Sequence, residues 1–394
     1  MTAGPAAAPD DSHALIGLPP GDAALVARAG RFAADELLPA ERTHGVKTPA
    51  DAPADLRRWV RQRSAEAGLY RLAQPAEVGG AGASVLLQSA LTEEIAASGA
   101  ILGGLVVGGD GGLLKLGTAE QRERFLMPVL RGETEAAFAF TDGRDGPRTT
   151  ATRRGDRFVL SGVKAFVSGG AGADLLVAVA RVTDNGGGPT GTAIFVVPRH
   201  APGVRVRRDQ RTLDGTLHAE IELSEVTVPA ADVLGEIGAG LPRALESITT
   251  LRLHAAAVAC GAGRFAVGYT LAQVDRPHRS GTPLAEREQV QAMLADSATE
   301  LYAARAAVFA AARRADAGAA VDVEAAMAKA LATESVARIV DRAIQLTGAA
   351  AVVEDHPLAL LYRRIRSWRI GEGPTELLRL AIARGLLARH RGTA

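Results

Sequence analysis

The stretch Arg157-Phe158-Val159-Leu160-Ser161-Gly162-Val163-Lys164-Ala165-Phe166-Val167-Ser168 decides the fold. β-Branched and aromatic residues crowd it around a glycine, so it reads as strand on either side of a turn at Gly162. Apolar runs of strand length follow at 174–182 and 192–197. Asp184-Asn185-Gly186-Gly187-Gly188-Pro189 lies between them and reads as a turn. Residues 204–207 and 218–223 alternate cleanly, and 226–234 reads as an edge strand that leaves the sheet at Pro229. Short strands joined by polar turns, with no helix between them, predict an antiparallel barrel or sandwich over 136–235.

On both sides the period changes to that of a helix. Before the strands, 23–38 carries Leu25, Val26, Phe32 and Leu37 at helical spacing and closes at Pro39. Further helices are expected at 56–67 and 86–97, and Thr118 with Gln121 forms a capping pair ahead of another. After the strands, long Ala-rich helical patterns occupy 241–273, 284–315, 321–347 and 376–390, as in a bundle. The fold class is therefore α+β. Its expected segments are a disordered Ala/Pro-rich tail at 1–20, an N-terminal helical domain at 21–135, a middle β domain at 136–235 and a C-terminal four-helix bundle at 236–394.

Composition narrows the function. A chain of 394 residues, 47% hydrophobic and 23% charged, is globular in type. A net charge of +1 gives no reason to expect nucleic acid as a partner. The one cysteine, Cys260, excludes an internal disulfide, and the eight histidines never fall at metal-ligand spacing, so no metal is expected. The start of the chain has no basic-then-apolar leader, and no apolar run of membrane-span length is read, so the expected compartment is the cytoplasm. Gly169-Gly170-Ala171-Gly172 runs from strand to strand, which rejects a dinucleotide-binding turn. Serine-elbow and Walker motifs are absent.

Near the C-terminus, Ile370-Gly371-Glu372-Gly373-Pro374-Thr375-Glu376 sets one carboxylate between two glycines. Glycines leave room for a ligand and for a sharp turn, and Pro374 suits the first turn of a helix. Glu372 then stands where one element ends and another begins. A solvated glutamate at a helix terminus has the same local pattern.

The order helices, strands, helices, Gly-Glu-Gly resembles the acyl-CoA dehydrogenase family of flavoproteins. The residues that carry the resemblance are Pro75 to Gly82, Glu93-Glu94-Ile95, 116–122 with Gly132-Glu133, Ala139-Phe140-Thr141-Asp142, 162–170, 341–348 with Tyr362-Arg363, and Ile370 to Glu376. The resemblance implies FAD as cofactor and α,β-dehydrogenation of an acyl thioester, carried on CoA or on a carrier protein. Glu372 would be the base that takes the α-proton, a carboxylate whose pKa is raised by desolvation, while a hydride leaves the β-carbon for the flavin. Some relatives place the base just before an arginine matched here by Arg252, but Leu251 stands there; Arg252 would order the pocket.

By the same resemblance Thr141, Ser168 and Phe166 would meet the flavin ring, with Phe166 where a Trp is usual. Gln345 and Gly348 would contact FAD across a subunit interface, and Thr375 would lie near its phosphates. The loop Gly143-Arg144-Asp145-Gly146-Pro147-Arg148 is short and lacks the family's serine. Pro277 replaces the diphosphate-binding arginine, leaving Arg276 or Arg279 to substitute. Gly371 replaces a tyrosine common in fatty-acid enzymes and widens the cleft. A homodimer or homotetramer is implied; a flavin-poor subunit of a heteromer and a flavin oxidase of the same fold are the alternatives. The electron acceptor is not readable.

Overall fold

The computed structural model describes residues 16–108, 111–144, 146, 148–183 and 189–392. Most of the expected tail, and the centre of the 184–189 turn, lie outside the described residues. The tail's expected end at residue 20 is corrected. Ile16 is buried, its carbonyl accepts from Arg313 Nη1 at 2.9 Å, and a helix opens at Pro20. The described chain divides into two compact units, one of Met1–Ala73, Ala81–Gly108 and Thr249–Ala394, the other of Gln74–Gly80 and Gly109–Ile248.

The first unit is helical. Its longer helices are α1 (Pro20–Phe32), α2 (Ala54–Glu66), α3 (Val85–Ala97), α4 (Gly240–Val274, counted with this unit from Thr249), α5 (Glu288–Asp316), α6 (Asp322–Thr347), α7 (Pro357–Trp368) and α8 (Thr375–His390). Local chemistry sets several of the ends. Ser84 accepts from Leu87 N at 3.1 Å to cap α3, and Pro357 at the first turn of α7 follows the cap His356. The arginine-rich run before Ile370 is thus a helix, one the expected set of helices does not include. Its Leu358, Leu361 and Ile365 are buried at helical spacing.

Small residues set how closely these helices approach. Ala256, Ala257, Ala304, Ala311, Ala325, Ala328 and Ala332 sit in one buried cluster. A Cβ on Gly261 would lie 2.3 Å from the Glu93 carbonyl oxygen, so α4 crosses α3 at a distance that only glycine permits. The Glu93-Glu94 pair on α3 is structural. Glu93 pairs with Arg305, and Glu94 with Arg264 at 2.8 Å. Burial pushes the Glu93 carboxyl up, and Arg305 and Arg264 oppose it. Removing either partner of such a buried pair costs on the order of 3–5 kcal/mol.

By length and composition α4 could cross a membrane, which corrects the expectation that no such run exists. Half of its most apolar stretch is buried in the fold, and Leu253, Ala256, Ala259 and Cys260 belong to the bundle core.

The second unit holds the eight-stranded sheet: β1 (Ala136–Ala139), β2 (Thr150–Arg154), β3 (Arg157–Ser168), β4 (Leu175–Thr183), β5 (Pro189–Pro198), β6 (Val204–Arg211), β7 (Leu217–Pro229) and β8 (Val233–Leu234). Its order is β6-β7-β3-β2-β4-β5-β8, with β1 beside β4. Pairing is antiparallel except for β1 with β4 and β2 with β4, which are parallel. One expectation changes here. Gly162 is not a turn: β3 runs through it as one strand with a register shift, and a Cβ there would lie 2.5 Å from Thr149 Cα. The 226–234 run lies along sheet edges and leaves the sheet at Pro229 as expected: its first half ends β7 and pairs with β3 alone, beyond the residues of β7 that β6 reaches, and β8 stands at the end of the strand order beside β5.

Candidate functional site

The Gly-Glu-Gly stretch forms a tight turn between α7 and α8. Gly371 N donates to Ser367 O at 3.0 Å and Thr375 N to Arg369 O at 3.2 Å, which closes the loop. Glu372 has φ +55°, a left-handed conformation that costs a non-glycine residue about 1–2 kcal/mol. Two cations hold it there. Arg252 Nε on α4 donates to the Glu372 carbonyl at 3.0 Å, and Lys329 Nζ on α6 donates to the Gly373 carbonyl at 2.8 Å. Gly373, at φ +105°, is required: a Cβ there would sit 3.3 Å from Leu378 and 3.5 Å from Arg252 Nη2. Gly371 is not required by the backbone. A Cβ on it would meet nothing nearer than Ser367 O at 3.8 Å, so its missing side chain is space left beside the carboxylate.

Glu372 is exposed. The desolvated carboxylate expected from sequence is therefore not what this chain presents. A turn at a helix start projects its side chain outward, and no described part of the chain covers it.

Lys329 is a residue that sequence reasoning missed. It is wholly buried, and burial lowers its ammonium to about 8 against the opposing pull of Glu372. A signal was available: one lysine stands inside the apolar run 325–332, on the same face as the buried Ala325, Ala328 and Ala332. A lysine on a buried helix face needs an acceptor, and the backbone of a turn offers its carbonyls.

The remaining candidates in this unit are spread out. Gln345 and Gly348 are exposed at the C-terminal end of α6, where Gly348 takes φ +79° and its N–H donates to Ile344 O at 2.9 Å. Thr375, at the start of α8, is buried, and among the described residues its hydroxyl has no hydrogen-bond partner. Arg276 and Arg279 are exposed in the segment after α4.

In the sheet unit, Phe166 stands 68% exposed with φ +53° at the register shift between Lys164 and Val167. Ala165 N donates to Thr141 O at 2.9 Å, which sets Thr141 beside it. Ser168 Oγ lies 3.3 Å from His218 Nδ1, and both residues lie on paired strands. Thr141, Phe166 and Ser168 are thus gathered at one end of β3, around an exposed aromatic ring. Beneath them Lys164 is buried, with its Nζ on Asp142 Oδ1 at 2.7 Å and on Phe140 O at 3.0 Å. That buried lysine holds the 140–142 segment against β3. Of the short 143–148 loop, Asp145 and Pro147 lie outside the described residues.

Comparison with known proteins agrees along the chain. The acyl-CoA dehydrogenase N-terminal, middle and C-terminal domains match residues 20–133, 139–226 and 238–387. The chain is 32% identical over 368 residues to a 3-(aryl)acrylate reductase of Clostridium sporogenes, covering 90% of this chain and 96% of that protein. It is 33% identical over 359 residues to a cyclohexane-1-carbonyl-CoA dehydrogenase of Geobacter metallireducens, covering 88% and 94%. The solved butyryl-CoA dehydrogenase of Megasphaera elsdenii superposes with a TM-score of 0.81 at 26% identity, covering 94% of this chain and 99% of that one.

Proposed function

The chain belongs to the acyl-CoA dehydrogenase family, and we propose that it oxidises an acyl thioester across its α and β carbons with Glu372 as the base. The observation that carries this reading is the Gly-Glu-Gly turn, whose carbonyls are gripped by Arg252 and Lys329 so that the backbone from which the Glu372 side chain projects is fixed. A carboxylate on a backbone so held has only its own side-chain torsions to order before it takes the α-proton. The same group returns that proton when an enoyl thioester is reduced, the direction named for the Clostridium sporogenes relative.

FAD is the cofactor this reading requires; when bound it accepts the hydride from the β-carbon. The chain's residues fit it. Phe166 offers an apolar wall for a flat ring, with Thr141 and Ser168 as hydroxyls at its edge. The exposed Gln345 and Gly348 are available to the remainder of the cofactor, and the buried Thr375 hydroxyl, unpartnered among the described residues, would have to be uncovered to reach its phosphates. Arg276 or Arg279 would neutralise the diphosphate in place of the residue lost at Pro277. Binding of acyl group and cofactor would supply the desolvation that the chain alone does not give Glu372.

A second copy of the chain is part of the proposal. Leu377, Leu380 and Leu387 lie exposed on α8 at helical spacing, an apolar stripe that a homodimer or homotetramer would cover. Gln345 and Gly348 would then serve a neighbour's cofactor. The thioester is carried on CoA or a carrier protein, and the compartment we assign is the cytoplasm. The division into segments at 21–135, 136–235 and 236–394 is kept as the functional division.

The test is anaerobic mixing of the purified yellow protein with acyl-CoA thioesters, watching the flavin absorbance. Bleaching is the expected result. Protein that stays colourless with added FAD, or takes up colour only with a second, related chain, would replace this reading with that of a heteromer subunit. Bleaching by no thioester in either direction would end it.

A further inference from the structure

The hairpin that joins β6 to β7, Thr212-Leu213-Asp214-Gly215-Thr216, starts a line of hydrogen bonds that reaches the end of β3. Thr212 N donates to Thr216 O at 2.9 Å and closes the turn. Asp214 Oδ1 accepts from the backbone two residues on, Thr216 N at 3.0 Å, as turn aspartates do. It also accepts from the hydroxyls of Thr212 and Thr216, the latter at 2.6 Å. Thr216 Oγ1 lies 2.8 Å from His218 Nε2. On the other side of the ring, His218 Nδ1 lies 3.3 Å from Ser168 Oγ and 3.4 Å from Phe166 O. One line of polar atoms thus runs from a carboxylate to the hydroxyl near the exposed Phe166.

Counting protons gives the line a direction. The Thr216 hydroxyl has one proton, and the Asp214 carboxylate is a stronger acceptor for it than Thr212 Oγ1 at 2.9 Å. With that proton on Asp214, the Thr216 oxygen accepts from the imidazole, so Nε2 carries hydrogen. In the neutral ring Nδ1 is then an acceptor. The Phe166 carbonyl has no proton to give, so the Ser168 hydroxyl donates to Nδ1 and turns only lone pairs outward. A proton on Nδ1 reverses this. The ring then donates to Ser168 Oγ and Phe166 O, and the Ser168 hydroxyl proton turns outward. The charged groups along the strands around His218 are Asp214, Glu220 paired with Arg207 at 3.1 Å, and on β6 Arg208, Asp209 and Arg211 about its partner Gln210; on β3 its partner is Ser168 itself.

We propose that His218 is a positioning residue for the cofactor ring: by its tautomer and charge it decides whether Ser168 meets the ring edge as an acceptor or as a donor. The inference rests on the reading that a flavin lies against Phe166 and Ser168. Reduction turns a flavin ring nitrogen from an acceptor into an N–H donor, and hydrogen bonds to ring nitrogens tune a flavin. A Ser168 that only accepts therefore favours the reduced ring, and Asp214, through Thr216, holds the neutral His218 in the tautomer that makes it so.

The experiment has two arms, both at about pH 8, above the range in which imidazoles usually gain charge. In the first, nitrogen NMR of the isotope-labelled full chain, freed of flavin, should show hydrogen on His218 Nε2, and Thr216→Val should lose that preference. Hydrogen on Nδ1 of the wild-type neutral ring overturns the inference. In the second, calorimetry gives the affinities for oxidised and reduced FAD, and a redox titration gives the potential of the bound flavin. His218→Leu releases the Ser168 proton, so the ratio of affinities should move about tenfold toward the oxidised form, a potential lower by about 30 mV for a two-electron couple. Thr216→Val should move it in the same direction, which keeps the test alive if His218→Leu does not fold. In a Ser168→Ala background the same substitutions should change the ratio by less than about twofold. Protein that binds FAD but shows equal effects in both backgrounds, or none in either, overturns this inference alone and leaves His218 a part of the strand. Protein that binds no FAD in either state overturns the parent reading, and this one with it.

Discussion

Glu372 and Phe166 share an unusual backbone conformation, at φ +55° and +53°, and both side chains are exposed. They are held there by different forces. At Glu372 the turn is fixed by charge, with a guanidinium and an ammonium each donating to a backbone carbonyl. At Phe166 the conformation is imposed by the strand ladder: β3 and β7 stay paired on both sides of the shift between Lys164 and Val167, and the residue between them has to turn over. Strain maintained by buried charge depends on protonation and on single side chains. Strain maintained by a ladder is shared over many hydrogen bonds and resists any one substitution.

The sharpest break in that comparison is Glu372→Gln. It keeps the backbone turn and removes the base. Thioester-driven flavin reduction should slow by on the order of 10²–10⁴ while the melting temperature is unchanged. Wild-type bleaching in this variant would remove Glu372 from the chemistry.

Lys329→Met tests whether charge holds the turn. It leaves the Gly373 carbonyl buried without its donor, and a stability loss of about 1–3 kcal/mol is expected in urea titration. Flavin reduction should also slow as the turn loosens, by roughly tenfold if the carboxylate loses about 1.4 kcal/mol of positioning. A variant that is less stable but fully active would make Lys329 a packing residue and nothing more.

The same lysine gives a pH dependence. Its folded pKa of about 8 lies below the ordinary lysine value. The unfolded chain therefore binds the extra proton across that interval, and stability contributed at this site rises as pH climbs from about 8 toward the ordinary lysine range. The penalty is fully present below a pH of about 8. The stability difference between wild type and Lys329→Met, followed by thermal melts from about pH 7 to about pH 10, should shift in favour of wild type across that window. A difference flat with pH would deny the lysine its perturbed environment.

Phe166→Gly is the smallest expected effect on the fold. Glycine adopts the left-handed conformation freely, so stability should rise or fall by no more than about 1 kcal/mol. Flavin content should fall, because the ring wall is gone. A large loss of stability would show that the exposed phenyl ring supports the sheet, and that the ladder does not hold the strain alone.

Much of the site is legible in the order of residues alone. Glu372 stands out because glycines on both sides of a carboxylate are a local pattern. The capping pair at Thr118 and Gln121 forms as the sequence implies, with Gln121 N donating to Thr118 Oγ1 at 3.2 Å. Lys329 is not legible as a partner of that turn, since 44 positions separate it from Gly373 and only the packing of α6 brings its ammonium to that carbonyl. Helix α7 escapes sequence reading because its arginines hide the spacing of Leu358, Leu361 and Ile365.

The sequence by itself determined what depends on neighbours along the chain. Strand or helix follows from the period of apolar residues, the turn at Glu372 from its glycines and Pro374, and the α+β class from the order in which the periods change. Only the tertiary structure decided what depends on distance in space. It made Gly162 the midpoint of a continuous strand, because Thr149 on the preceding segment leaves no room for a Cβ. It set the middle of β7 between β6 and β3 while leaving residues 226–229 paired with β3 alone, and it brought the Lys329 ammonium to the Gly373 carbonyl. Burial and hydrogen-bond partners are properties of packed elements, and periodicity says which face is apolar without saying what that face will meet.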